Sequence, residues 1–507
     1  METETKFYGK MTERDSDHFK DDIRSKKSLT RQMTLALLAN FSNIAPGMSI
    51  GFSAVAIPAL KHFNNEQISW FASIASLATP LGCIVSGPIA DRFGRRAAMA
   101  VVNITTFIGW IIIASAFYLK NHQYSILLMG RFMTGLSSGL CGTPAAIYMA
   151  EVASSDMRSV FTTWVSLFYA IGIFIVYLLG LILKDDWNMI SLIAAGFAVL
   201  GMLFLKLLIP ESPSWLASKR RYEEAKINIC QLHGTKVYTC DVREELETLI
   251  VPGSCIKPEK LQSSPLSHQI SKKMKMLMTE KFFRPYILVI TFFFFQQFSG
   301  IFVIMFYAVD IVKQAKVRLD AYVTIVLIAL VRFLSMILLS FFSKHVGRRT
   351  LSLISGSGIT ITMLALGSYT LSIQQGLISD ELIPNISFIP LVLLILYFFI
   401  STMGFYPIPF ALVSEVYPRK IRGTAAGLST AMNFLFNFII VKLHPTMVQG
   451  IQMSGVFYVY GVMAFVGTLF VLIWLPETRG KSLDEIQSSF ITRKKTNDIE
   501  EKEQQIA

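Results

Sequence analysis

Long apolar stretches alternate with short polar ones along almost the whole chain. Runs with few charges lie near residues 33–57, 69–88, 97–118, 125–150, 160–182 and 188–209, and again near 284–311, 320–342, 350–373, 387–413, 424–444 and 454–475. Each approaches or exceeds the roughly 20 residues that cross about 30 Å of hydrocarbon as a helix. The pattern therefore predicts an all-α membrane protein of twelve transmembrane helices. It divides the chain into a polar tail (1–31), a six-helix half (32–210), a polar linker (211–283), a second six-helix half (284–476) and a second tail (477–507). Within the linker, 219–232 and 241–250 read as short amphipathic helices. The first apolar run begins only after about 32 polar residues, deeper than the apolar core of a cleaved signal peptide, so it reads as an uncleaved span.

Composition sharpens the class. The chain is 53% hydrophobic and only 16% charged, against about 25% charged in soluble domains, which excludes a soluble enzyme or a disordered protein. The net charge of +13 is distributed unevenly. With the central loop left out, because long loops translocate regardless of charge, one side holds 24 Lys/Arg and the other six: Lys61, Lys120, Lys184, Lys313, Lys316 and Arg318. Both termini and the central loop are expected to be cytoplasmic. The basic surplus is then a matter of orientation, and the expected partners are a lipid bilayer and a small-molecule substrate, with no nucleic acid. The sequon Asn385-Ile386-Ser387 falls in an outer loop and is a candidate glycosylation site, whereas those at Asn40 and Asn103 lie within spans. The five cysteines show no metal-ligand or disulfide spacing. No nucleophile–base pair or phosphate loop is present either, so neither catalysis nor a cofactor or metal is expected.

The halves repeat each other. Glu151 to Arg158 after the fourth span matches Glu415 to Arg422 after the tenth. RFGRR at 92–96 matches HVGRR at 345–349, and the PESP at Pro210 matches the PETR at Pro476. Three pairs in one order mark two pseudo-symmetric six-helix halves, the duplication expected of alternating-access transporters. Asp91, Arg92, Arg95, Arg96, Glu151, Arg158, Arg348, Arg349, Glu415 and Arg422 lie at one membrane depth. They read either as a charged latch between the halves, broken when the inner gate opens, or as plain determinants of topology.

These motifs, with Gln296-Gln297-x-Ser299-Gly300, Pro407-Ile408-Pro409 and Pro476-Glu477-Thr478-x-Gly480-Lys481, resemble the sugar porter family of the major facilitator superfamily over about residues 31–486. EQISWFASI (66–74) and QQFSGIFVIMFYAV (296–309) are most similar to its insect facilitated trehalose transporter-like branch. The resemblance implies the major facilitator fold, a substrate site between the halves with Gln296, Gln297, Tyr307, Asn433 and Asn437, and a tenth span lining the path. Amides offer donors and acceptors to hydroxyls. They could equally glue helices together. The prolines of the tenth span either let it bend in transport or set a static kink.

Several positions depart from hexose-carrying members. Phe302, Phe410 and Phe434 replace an asparagine and two tryptophans, and Ser166 stands where an amide is usual. Arg332 lies inside the eighth span, also at an amide position, where it either faces the cavity or bonds backbone carbonyls. Arg131, near the outer end of the fourth span, matches a family arginine, can snorkel from there, and reads as structural. Lys344 and His345 degrade the second basic motif. Proton-driven members carry an aspartate where Ser53 stands, and residues 32–60 hold no Asp or Glu. The expected function is a facilitative uniporter of hexose or trehalose in the plasma membrane. The alternatives are a carrier of another small organic solute or anion on the same fold, and a non-transporting nutrient sensor.

Overall fold

The computed structural model describes residues 30–60, 62–153, 155–232, 280–342, 346–378, 383–417, 422–477 and residue 485. Among them the regular elements are helices alone. Twelve crossings follow in order. The first is Thr30–Phe41 and Ile44–Ala59, bent by 42°. Then come Asn65–Phe93, Arg95–Ser115, Gln123–Val152, Ser155–Leu183 and Trp187–Leu207. Two short helices, Pro213–Ser218 and Tyr222–Leu232, close the first half. The seventh crossing is built of three pieces, Glu280–Phe298, Ile301–Phe306 and Ala308–Gln314, and is followed by Ala321–Phe342 and Arg348–Gln374. The tenth is Ile389–Met403 with Ile408–Val416. The eleventh and twelfth share Arg422–Trp474, divided where Gln452 leaves helical geometry at φ 58°.

Packing follows the repeat. In the first half, spans 2 and 3 pack on span 4, span 1 on span 5 and span 3 on span 6; in the second, spans 8 and 9 pack on span 10 and span 7 on span 11. The contacts between halves obey the same rule, since span 2 meets span 11, span 5 meets span 8, and spans 1 and 7 meet each other. With lipid on the outside there is little hydrophobic force between helices, so close approach through small residues does this work. A side chain at Gly135 or Gly139 of span 4 would collide with the Ala75 and Thr79 backbone of span 2. At the points of approach, Thr79 Oγ1 donates to the Gly135 carbonyl (3.1 Å) and Ser86 Oγ to the Leu140 carbonyl (2.7 Å).

Two crossings are interrupted at one level. Span 7 breaks at Gly300, whose φ of +88° suits glycine and whose face is covered by the Tyr460 ring. Span 10 breaks between Met403 and Ile408, and Pro407 and Pro409 begin its second piece, where a missing N–H leaves nothing unsatisfied. Broken helices inside a membrane expose backbone carbonyls, which are tolerated only where protein or a cavity satisfies them.

Candidate functional site

The breaks lie beside an amide cluster. Gln297 Nε2 donates to Asn433 Oδ1 (2.6 Å), Asn437 Nδ2 donates to Gln297 Oε1 (3.0 Å), and Ser76 Oγ of the first half donates to Asn437 Oδ1 (2.5 Å). All four residues are buried. Gln296, about 100° further round the same helix, points elsewhere: its Nε2 donates to the Tyr406 and Phe405 carbonyls freed by the break in span 10. The adjacent glutamines therefore divide their work. Gln296 Oε1 and Asn433 Nδ2 are buried with no partner in the described structure, one acceptor and one donor open to a polar ligand. A small void between the halves is lined by Ser49, Ser76, Tyr169, Phe306, Phe434 and Asn437 and holds about 10 Å³, at most one water.

The halves close against each other at the ends remote from the basic motifs. Ser69 Oγ donates to the Lys442 carbonyl (2.7 Å), and Lys442 Nζ sits 4.4 Å from the centre of the Trp70 ring. Tyr177 OH donates to the Met305 carbonyl (2.7 Å). Tyr307 OH reaches the Val441 carbonyl (3.3 Å), and its ring lies 4.8 Å from that of His444, which shares a 3.0 Å hydrogen bond with Tyr460. Ser166, on span 5, is exposed, and Phe410 packs on Phe293 and Tyr406. Phe302 also lies against Tyr406 (5.7 Å), so the replaced tryptophan and asparagine positions form one aromatic wall.

Two arginines lie buried within the spans. Arg131, read from the sequence as structural and able to snorkel, does not reach for the interface. It is fully buried and turned inward, with Nη1 on the Ser49 carbonyl (2.6 Å) and Oγ (3.1 Å) and Nη2 on Ser53 Oγ (2.7 Å). Nε reaches the Phe71 carbonyl (3.4 Å), and the Phe52 and Phe71 rings flank the guanidinium. Arg332 is 4% exposed, lies over the Tyr406 ring at 4.7 Å and donates from Nη1 to the Met305 thioether.

At the basic ends each half builds the same device. The Glu211 carboxylate accepts from the backbone N–H groups of Arg95, Arg96 and Ser212 at 2.9–3.2 Å, and Glu477 accepts from those of Arg348 and Arg349 at 2.9 and 3.2 Å. A carboxylate thus caps the N-terminus of spans 3 and 9, where the helix dipole favours it. The glycine before each arginine pair is needed because a side chain there would strike that carboxylate. Arg95 forks onto Glu151 (Nη2 2.8 Å, Nε 3.0 Å) and also meets Asp91 (3.3 Å); Arg348 meets Glu415 at 3.3 Å. These pairs join spans within one half, 3 to 4 and 9 to 10. Each arginine finds its carboxylate on the span packed beside its own. Arg96 and Arg349 instead close the carbonyl ends of spans 6 and 12, at Leu205, Lys206 and Leu472, and Arg92 lies over Phe93.

The side chains of Arg158 and Arg422, and the whole of Lys344, His345 and the linker beyond Leu232 up to residue 279, lie outside the described residues. Asn385 is exposed on the short helix Ile383–Ile386, while Asn40 and Asn103 are buried. Sequence reasoning missed Ser76, Tyr406 and the capping role of Glu211 and Glu477. The last two had a signal, since an acidic residue recurs after both closing spans just as Glu151 and Glu415 do.

Comparison with known proteins agrees with this architecture. Similar chains include the facilitated trehalose transporter Tret1 of Bombyx mori (28% identical, 93% of this chain and 90% of that one) and of Apis mellifera ligustica (29%, 93% and 90%). Tret1 of Drosophila virilis is 27% identical over 91% of this chain, which spans about half (49%) of its length. The fold is that of the xylose transporter XylE from E. coli in its inward-open conformation (TM-score 0.73, 20% identity, 90% of this chain and 99% of that one). It also matches the proton:xylose symporter XylE bound to 6-bromo-6-deoxy-D-glucose (TM-score 0.69, 20% identity, 92% and 100%). The fold is thus the major facilitator fold, in a multi-pass membrane chain. A family model described as sugar (and other) transporter matches residues 7–490, and the chain belongs to that family.

Proposed function

We propose that the protein is a facilitative uniporter of a sugar, hexose or trehalose, working by alternating access in the plasma membrane with both termini cytoplasmic. The observation that carries this reading is the chain of hydrogen bonds Ser76–Asn437–Gln297–Asn433 between the halves, with Asn433 Nδ2 and the neighbouring Gln296 Oε1 unpaired among the described residues. A hydroxylated solute suits such a cluster, because each hydroxyl both donates and accepts. With this orientation the contacts of Ser69, Trp70, Tyr177 and Lys442 close the outer side, and the conformation is inward-facing. Outward opening must break the Ser76–Asn437 and Tyr177–Met305 bonds between the halves, while Gln297 and Asn433 stay together within one half.

Uniport is supported by the surroundings of Arg131. A coupled proton needs a membrane-embedded carboxylate to carry it. Among the described residues Arg131 is held by serine hydroxyls and backbone carbonyls. On the outer face, Asn385 is a glycosylation site in this reading. The test is uptake of radiolabelled glucose and trehalose by the purified protein in proteoliposomes, with and without a pH gradient. Saturable uptake, indifferent to the gradient and reduced at least tenfold in Gln297→Ala, is expected. Uptake that follows the proton gradient would overturn uniport, and no uptake by correctly oriented protein would overturn the sugar reading.

A further inference from the structure

Arg332 is a buried cation with far fewer acceptors than donors. A guanidinium presents five N–H donors in a fixed planar fork. Among the described residues, one of them meets a thioether, a weak acceptor, and the face of the group rests on the Tyr406 ring. None of the described salt bridges involves it. Helix–backbone bonding, the structural alternative, is also missing from its described contacts, although span 10 exposes carbonyls nearby at Phe405 and Tyr406. Those carbonyls accept from Gln296 Nε2 instead.

The position of Arg332 ties it to the transport path. Met305, its thioether partner, precedes Phe306, which lines the void between the halves together with Asn437. The Met305 carbonyl is also the acceptor for Tyr177 across the two halves. The ring under the guanidinium, Tyr406, belongs to the aromatic wall of Phe302 and Phe410. An amide cluster suited to hydroxyls and an under-bonded cation therefore flank the same region, with apolar rings between. In such poorly hydrated surroundings a charge-assisted bidentate bond is stronger than in water, and a carboxylate matches the guanidinium fork.

We propose that Arg332 is a specificity-determining residue that binds an anionic group of the carried solute, and that the solute class is a sugar acid, a hexose-sized polyol bearing one carboxylate. The hydroxyls go to Gln297, Asn433 and Asn437 and the carboxylate to Arg332. This rests on the amide cluster being the sugar site, as proposed above.

The experiment measures uptake of radiolabelled glucuronate and of radiolabelled glucose by wild type, R332Q and R332K in proteoliposomes. The expected result is saturable glucuronate uptake by wild type, reduced more than tenfold in R332Q and partly kept in R332K, with glucose uptake in R332Q within threefold of wild type. The glucose signal also shows that R332Q is folded. Wild type that moves glucose but neither moves glucuronate nor is inhibited by it overturns the proposal and leaves the sugar reading intact. Equal loss of both uptakes in R332Q and R332K makes Arg332 a structural strut and likewise overturns it. Glucuronate uptake without glucose uptake supports the proposal while removing neutral hexose as a substrate. Uptake of neither overturns both readings.

Discussion

Arg131 and Arg332 are the same residue type, each buried within a transmembrane span, one in each half, and they are held in opposite ways. Arg131 spends its donors on Ser49, Ser53 and the Phe71 carbonyl, tying span 4 to spans 1 and 2. Arg332 rests on a ring and a thioether. A buried charge is retained either because neighbours fully solvate it or because something else arrives to do so. The difference teaches that depth in a span does not decide the role of a charge, and that its acceptor count does.

The largest expected effect comes from breaking that contrast. Arg131→Met should cost about 3 kcal/mol or more, because it strands the polar groups of Ser49 and Ser53 and removes charge-assisted bonds between three spans. Arg332→Met should cost about 1 kcal/mol or less, since a methionine packs against Tyr406 and Met305 without leaving a strong acceptor unpaired. Unfolding of the purified variants by detergent titration measures both. Equal losses would mean that Arg332 is as structural as Arg131.

The two basic ends supply a second comparison, of smaller size. Glu211 and Glu477 each accept from the two backbone N–H groups that open span 3 or span 9, although the motif before span 9 is altered at Lys344 and His345. Glu211→Gln and Glu477→Gln should each lose about 1–2 kcal/mol, from a helix-terminal charge and its charge-assisted bonds. Thermal unfolding of the two variants side by side tests the match. A clearly larger loss in one would show that the two caps are not equivalent.

What was legible in the sequence follows from scale. The twelve spans, the two halves and the repeated motifs are patterns over tens of residues, and bilayer thickness and internal duplication fix them regardless of detail. Side-chain direction is set by the neighbour across the gap, which one sequence does not display. The resemblance put both Gln296 and Gln297 at the substrate site; the structure adds that Gln296 Nε2 is turned to the carbonyls of the break in span 10 while its Oε1 has no partner among the described residues. Arg131 looked free to reach the interface because the serines that hold it are 78 and 82 residues earlier. The charges at Glu151 and Glu415 were legible as paired, but whether the partner lies in the same half depends on spans 3 and 4, or 9 and 10, being neighbours.

The smallest effect separates bonds within a half from bonds between halves. Ser76 and Thr79 lie one turn apart on span 2: Thr79 Oγ1 is shared between the Ala75 carbonyl of its own helix (2.8 Å) and the Gly135 carbonyl of span 4 in the same half (3.1 Å), while Ser76 donates to Asn437 of the other half. Removing either should remove about 1 kcal/mol. In Thr79→Val that loss lowers global stability and leaves the balance of conformations alone, because spans 2 and 4 move together. In Ser76→Ala it falls only on the state closed at the outer side, since Asn437 in the open state can bond water instead, and the population of the other state should rise about fivefold. Hydrogen exchange read by mass spectrometry should then quicken at the outer ends of spans 2 and 11 in Ser76→Ala alone. Equal quickening in Thr79→Val would mean that the halves do not move as rigid units, and alternating access by rocking about this cluster would have to be given up.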